Sequence, residues 1–390
     1  MIEFTHQIPT KIIFGPDKLG QLGTELAAFG KKVLVVYGGG SIKRNGIFDK
    51  AVESMQEAGL TWFEQGGVEP NPKVTSVQAG ADLCKKEGID VILAIGGGSV
   101  IDCAKGIAAA AFYDGDAWDL PTHKAPIGRC LPIVSILTLA ATGSEMDPVG
   151  VISNKDTEQK LVISNPALRP AVSFLDPTLT YSVSAFQTAS GSADIMSHIM
   201  EDYFVDGDGS MYMLDRIKEG MMKTVIHYAP IAIADPTNYE ARANLMWTSS
   251  WAINGFTGAL CNCEWTNHMI EHELSAIYDI THGLGLAIVT PRWMRYVLDD
   301  TTAPKMKEFA VNVFGVDASL PDKEAALKGI ECLEDFFFNK LGLKSTLTEI
   351  GIGEENLEVM AKKACNGKET LNGWRVLTPA QIVEILKACL

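Results

Sequence analysis

Six short runs of β-branched, aliphatic and aromatic residues punctuate the first 180 positions of the chain. They predict strands over Lys11–Phe14, Val33–Tyr37, Thr61–Glu64, Val91–Ile95, Leu131–Ile136 and Ala171–Leu175. Between them lie stretches of helical periodicity, 17–29, 47–58, 73–87 and 100–111. Strands that alternate with helices at this spacing can bury both faces only as a parallel sheet covered by helices. A further pair of runs, Val149–Ser153 and Lys160–Ser164, flanks NKDTEQ and predicts a hairpin.

Beyond Ser184 the strand signals nearly vanish. The remainder reads as helices broken near Pro236, Gly258, Gly283, Pro304, Pro321 and Gly342, and such helices can bury their apolar stripes only against one another. The expected fold class is therefore α/β followed by all-α, with domains at 1–180 and 181–390. A length of 390 residues suits two domains at ~100–200 residues each. A cleft between two domains is the default place for a ligand.

Composition excludes several classes of partner. The formal net charge of −15 argues against nucleic acid and anionic membrane surfaces, both of which demand positive potential. No apolar run approaches the ~18 residues a membrane span needs, and MIEFTHQIPTKIIFG lacks a charged n-region followed by an apolar h-region. A cytoplasmic location is expected. The eight cysteines form no C-x-x-C pair, so reduced, mostly buried thiols are expected. Cys261 and Cys263 form a C-x-C pair, a weak metal signal that no second pair supports.

The tetrapeptide GGGS follows a strand twice, at Gly38–Ser41 and Gly96–Ser99. In the second, IDVILAIGGGSVIDCAK, glycines let the backbone approach a ligand. Ser99 is the expected N-cap, with Asp102 three residues on in a capping-box pattern. The unpaired N–H groups of such a helix start suit a pyrophosphate. In the first, VLVVYGGGSIKRNG, glycine stands where dinucleotide folds often place a carboxylate for the ribose 2′-hydroxyl of NAD. Backbone N–H groups around Gly38, Gly39 and Ser41, with Lys43 and Arg44 nearby, suit the 2′-phosphate of NADP instead. A third polar cluster, SILTLAATGSEMD, offers Thr138, Thr142 and Ser144 as linings for a nicotinamide.

Four of the seven histidines lie in two stretches. In ASGSADIMSHIMEDYF, Asp194 and His198 are four apart and share a helix face. In EWTNHMIEHELSAIYDITHGLG, His268 and His272 are again four apart, and His282 precedes a glycine. One carboxylate with several imidazoles suits a divalent transition metal. Periodicity favours His268 and His272 as a ligand pair without deciding which three imidazoles bind.

Taken together, KIIFGP, PNP at 70–72, GGGSVIDCAK, TLAATGSE, LDP at 175–177, D-x-x-x-H and H-x-x-x-H-x9-HG resemble the iron-containing (group III) alcohol dehydrogenase family. YGGGSIKRNG, EARANLMW and EWTNHMIEHELSAIYDITHG resemble its butanol dehydrogenase branch. The resemblance implies a dehydroquinate synthase-like architecture with the active site in the interdomain cleft. It implies metal ligands Asp194, His198, His268 and His282, which moves His272 from the metal to the nicotinamide and substrate as a catalytic residue. It implies cofactor contacts at Asn71, Gly97, Gly98, Ser99, Asp102, Thr138, Thr142 and Lys160. The GGGS subgroup it resembles often uses NADP(H), with NAD(H) also possible. The metal would be one divalent ion, Fe(II) or Zn, and the assembly a homodimer. Leu139 and Thr281 depart from the residues frequent at those places.

The expected reaction is hydride transfer between NADPH and a short-chain aldehyde or its primary alcohol, such as butanal and butanol, with the metal as Lewis acid. Trp247, Trp251, Phe256 and Trp265 could shape an apolar substrate pocket. One alternative is a lyase or cyclase of the dehydroquinate synthase type. Its charged substrate calls for lysines or arginines near the metal, and 194–204 and 264–285 contain none. The other is a non-catalytic cofactor-binding protein, which intact ligand positions disfavour.

Overall fold

The computed structural model describes residues 5–205, 211–258 and 264–390; the Cys261–Cys263 pair lies outside them. The chain divides into two compact units, residues 7–182 with 249–254, and residues 1–6 with 183–248 and 255–390.

The first unit is built on a six-stranded parallel sheet. Its elements in chain order are β1 (Lys11–Phe14), α1 (Leu22–Ala27), β2 (Lys32–Tyr37), α2 (Ser41–Arg44), α3 (Ile47–Glu57), β3 (Thr61–Gln65), α4 (Val74–Glu87), β4 (Val91–Gly96), α5 (Gly98–Ala110), β5 (Ile133–Leu137), the antiparallel hairpin β6 (Val149–Asn154) and β7 (Gln159–Ser164), and β8 (Val172–Leu175). The strand order is β1-β8-β5-β4-β2-β3. Every residue of β4 and β5 is buried, as central strands covered on both faces require. On one face Val33, Val35, Val91, Leu93, Ile95, Val134, Ile136 and Phe174 pack against Leu22, Leu26, Phe48, Ala51 and Met55.

Strands β2 and β4 are neighbours, in register from Val33 opposite Val91 to Tyr37 opposite Ile95. The chain leaves β2 toward β3 on one side and leaves β4 toward β5 on the other. That reversal is a topological switch point, where open parallel sheets bind ligands beyond the strands' carboxyl ends. Both GGGS turns sit at this crevice, because each follows one of the two strands.

Two local expectations change. The helix expected over 17–29 is a short 3₁₀ turn, Leu19–Gln21, followed by α1. Ser99 does not cap α5. The helix begins at Gly98 with Gly97 as N-cap and no side-chain cap bond. The Asp102 carboxylate is instead drawn away by the Ser144 hydroxyl (2.6 Å) and the Val151 N–H (3.1 Å).

The second unit is helical: α6 (Ala185–Tyr203), α7 (Tyr212–Ala234), α8 (Tyr239–Ile253, whose last turn belongs to the first unit), α9 (Thr266–Tyr278), α10 (His282–Val297), α11 (Ala303–Phe314), α12 (Asp322–Glu334), α13 (Leu357–Ala364) and α14 (Pro379–Ala388). It also holds one small antiparallel pair, β9 (Leu371–Asn372) and β10 (Val376–Leu377), too short to leave a periodic signal. Gly283 does not break a helix; it is the second residue of α10. Ser184 caps α6, its hydroxyl accepting from the Gln187 N–H. Helix α6 packs against α7 and α10, and α10 against α9. From Thr188 to Tyr203 every residue of α6 is buried, polar ones included. A central helix carrying Asp194, His198, Glu201 and Asp202 in its buried stretch must satisfy or use those groups. No helix among the described residues is long and apolar enough to cross a membrane.

Candidate metal centre

Three helices of the second unit converge on one carboxylate oxygen. Asp194 Oδ1, on α6, lies 3.4 Å from His198 Nε2, one turn further along the same helix. It lies 3.9 Å from His268 Nε2 on α9 and 3.6 Å from His282 Nε2 at the start of α10. Ligands bonded at ~2.0–2.1 Å to one tetrahedral ion stand about 3.4 Å apart, so each imidazole is spaced from Asp194 as a shared cation requires; Asp194, His268 and His282 also bring their ligand atoms within 4.8 Å of one another, a group that His198 does not join. Neither Asp194 Oδ1 nor His268 Nε2 has a hydrogen-bond partner among the described residues, although both atoms are buried. Orphaned buried acceptors are costly unless something is bound, and one carboxylate with three imidazoles suits zinc or Fe(II). The residues present therefore fit a divalent metal.

Electrostatics separates the members. Burial works to raise the Asp194 carboxyl, but the His198, His282 and His268 rings outweigh it and hold the group below the usual carboxylate range. Burial pushes His198 down to about 3, against the pull of Asp194, so its ring is neutral. Burial also lowers His268, but Asp194 and Glu201 overcome it and lift the group to about 9. A proton and a metal ion compete for that nitrogen. His282 is the most open ligand, its side chain 22% exposed against 3% for Asp194.

Two carboxyl groups that the sequence reading passed over hold the imidazoles from behind. Glu201 Oε1 lies 3.3 Å from His268 Nδ1 and also accepts the backbone N–H groups of Asn267 (2.7 Å) and His268 (3.1 Å). Glu271 Oε2 accepts from His282 Nδ1. With a proton fixed on each Nδ1, each Nε2 presents its lone pair to a metal. The available signal was position: Glu201 is three residues after His198, and Glu271 three after His268, so each shares a ligand's helix face.

His272 stands apart from Asp194 but in the same cluster, its ring 5.5 Å from that of His282 and 6.4 Å from that of His268. Trp265 lies against His198 (5.6 Å) and His268 (4.9 Å). Trp247, by contrast, is 42% exposed, which does not suit an apolar pocket wall.

In the sheet unit the expected cofactor residues collect beyond the strand ends. Gly38, Gly39 and Ser41 follow β2, Asn71 follows β3, Gly97, Gly98 and Ser99 follow β4, and Thr138 and Thr142 follow β5. The Thr138 N–H donates to Gly96 O (3.0 Å), joining two of these turns. A β-carbon on Gly98 would stand 2.3 Å from Thr142 Oγ1, so the protein's own packing already requires glycine there. Asn71 is buried in a left-handed conformation (φ 49°). The neighbouring Pro72 O accepts from Ser153 N, and Ser153 pairs across the hairpin with the buried Lys160. Asp102, itself half-buried, is tied to a buried network. Lys105 Nζ donates to Ser144 Oγ (2.8 Å), Asp147 Oδ1 (2.7 Å) and Val149 O (2.6 Å), and Ser144 in turn donates to Asp102. At the first turn Lys43 Nζ donates to Glu64 Oε2 (2.7 Å), which also accepts from Tyr37 OH.

Known proteins similar to this one match it along nearly the whole chain. The profile of the iron-containing alcohol dehydrogenases matches residues 9–177, and that of the Fe-containing alcohol dehydrogenase C-terminal region matches residues 188–390. NADH-dependent butanol dehydrogenase B of Clostridium acetobutylicum is 50% identical over 388 residues, 99% of each chain. The NADPH-dependent aldehyde reductase YqhD of Escherichia coli is 34% identical over 369 residues, 93% of each. The crystal structure of NADH-dependent butanol dehydrogenase A from Thermotoga maritima superposes with a TM-score of 0.94 at 39% identity, covering 99% of this chain and 98% of that one.

Proposed function

The chain belongs to the iron-containing alcohol dehydrogenase family, and from that premise we propose that it interconverts short-chain aldehydes and primary alcohols, butanal and butanol among them, with NADH preferred over NADPH. The observation that carries the reading is the convergence of three imidazole Nε2 atoms on Asp194 Oδ1. Members of the family are oxidoreductases, and the relatives named above act on this substrate class.

Asp194, His198, His268 and His282 would hold the metal. When bound, the cation supplies Lewis acidity toward the substrate oxygen and the dinucleotide supplies or accepts the hydride. Glu201 and Glu271 keep the ligand imidazoles in one tautomer and orientation. Buried His272 moves the proton through an imidazole nitrogen. Trp265 excludes water from the His198 and His268 rings.

The cofactor preference rests on Glu64. The expectation of NADP(H) leaned on Lys43 and Arg44 as partners for a 2′-phosphate. Lys43 is engaged by Glu64, and a carboxylate beside the first glycine turn repels a phosphate while accepting a ribose hydroxyl. The relative with 50% identity is named NADH-dependent, which agrees. The proposed assembly is a homodimer, measurable by sedimentation.

The test is a steady-state comparison of NADH and NADPH oxidation with C2–C6 aldehydes on metal-analysed protein. Turnover should disappear on chelation and return with Fe(II) or Zn. Undiminished turnover in a demonstrably metal-free preparation would overturn the reading.

A further inference from the structure

We propose that Glu271 is a positioning residue for His282, and that it sets how tightly the metal is retained; the inference rests on the metal-site reading above. Glu271 is fully buried on α9, and its Oε2 accepts from His282 Nδ1 across the turn that leads into α10. Its other oxygen accepts from the Ser275 hydroxyl, one helical turn along, and that hydroxyl lies 3.4 Å from Ile280 O. The carboxyl is thus locked to the turn that presents the ligand.

The surrounding chain is shaped for it. A β-carbon on Gly285 would stand 2.7 Å from Glu271 Cγ, so glycine there leaves the space that the carboxyl occupies. The carboxyl thus spans the ligand and its support, one oxygen on the His282 imidazole and the other on the hydroxyl that steadies the turn. His282 also needs external orientation more than the other ligands, because it begins its helix and is the most exposed of them.

A rival role has a distinct signature. Glu271, His272 and His282 bring one potential ligand atom each within 4.8 Å of one another, so Glu271 could itself ligate a second cation. Stoichiometry separates the two.

The experiment titrates metal-stripped protein with Zn(II) against a competing chelator, and with Co(II) followed by its visible spectrum. It compares the parent chain with Glu271→Gln and Glu271→Ala. A positioning role predicts one equivalent in the parent and about 10- to 100-fold weaker binding in Glu271→Ala. Glu271→Gln, nearly isosteric and able to accept from Nδ1–H through its amide oxygen, should fall between the two. Its Co(II) spectrum should shift while its metal-free melting temperature stays close to that of the parent. If Glu271→Ala does not fold, Glu271→Gln alone carries the test. Parent-like affinity and spectrum in Glu271→Gln and in any folded Glu271→Ala would overturn the inference and leave the dehydrogenase reading intact. Two equivalents in the parent, one lost in the variants, would make Glu271 a ligand and overturn it differently. No metal binding by the parent would remove the reading beneath it.

Discussion

Gly283 lies so close to Ser190 that a β-carbon on the glycine would stand 1.9 Å from the serine carbonyl oxygen. Helices α10 and α6 therefore meet backbone to backbone at that point. His282 precedes the glycine and Asp194 follows the serine by one helical turn, so this contact fixes the 3.6 Å approach of two metal ligands.

Gly283→Ala should push the start of α10 away from α6. Overpacking of this kind costs about 1–3 kcal/mol, measurable by urea denaturation. Metal content after dialysis should fall in the same variant. Gly220, on the exposed face of α7 with nothing within 4 Å of its would-be β-carbon, is the control. Gly220→Ala should hold metal normally and gain about 0.5–1 kcal/mol.

The contrast shows which parts of the site a single sequence can reveal. Asp194 and His198 were legible because four residues on one helix return to one face. His268 and His272 have the same spacing, yet only His268 comes within 4 Å of Asp194, and its partner His282 arrives through a turn whose geometry no periodicity records. Glu201 and Glu271 were passed over because glutamate in a helix usually faces water; their burial depends on how α6, α9 and α10 pack. The strands of the sheet were readable within two residues: in central β4 and β5 burial on both faces leaves continuous apolar runs, and the partly exposed edge strands β1 and β3 still carry short β-branched and aromatic runs. The start of α5 was not. A serine looks like a cap in sequence, whereas the cap is Gly97 and the helix begins two residues earlier than expected, at Gly98 packed against Thr142.

Lys105 is a buried cation held by Asp147, Ser144 and the Val149 carbonyl. Lys105→Met should leave the buried Asp147 carboxylate without its hydrogen-bonded cation and with only Arg169 to offset its charge, a loss on the order of 3–5 kcal/mol. Combining it with Asp147→Asn should restore much of the stability. Chemical denaturation of the single and double variants measures this coupling. Equal stability of both single variants and the parent would show that the network contributes nothing net.

Glu145 should make the fold lose stability as the pH rises from about 4.5 to about 7. The carboxyl is fully buried, with Ser250 Oγ donating to Oε1. Burial, with some repulsion from Asp147, lifts it from 4.5 to about 7 against the opposing pull of Ser250 and Lys105. A folded-state value above the unfolded one means the contribution is fully present below pH 4.5 and lost as the pH rises through about 7. Glu145→Gln removes that loss. The variant should match the parent near pH 4.5 and exceed it at pH 8 by up to the order of 3 kcal/mol. Denaturation curves at the two pH values decide; a parallel offset at both would mean the difference comes from packing.

The first glycine turn offers a test of cofactor choice that leaves the metal centre untouched. Lys43 is tied to Glu64 at 2.7 Å, and its ammonium lies over the rings of Tyr37 and Phe48 at 4.9 and 4.5 Å. The Glu64 contact raises Lys43 to about 12, so the lysine is charged at every working pH. While Glu64 is present, that charge is offset. Glu64→Ala would free the cation for a 2′-phosphate and remove a carboxylate that repels one. The ratio of kcat/KM for NADPH to that for NADH should then rise several-fold, with most of the change in KM. Because the groups are open to solvent, the gain should shrink as salt is raised through the range where the Debye length falls from about 10 Å to 3 Å. Lys43→Ala should reduce NADPH use further while sparing NADH. An unchanged ratio in Glu64→Ala would place the 2′-position away from this turn and withdraw the reason for preferring NADH on structural grounds.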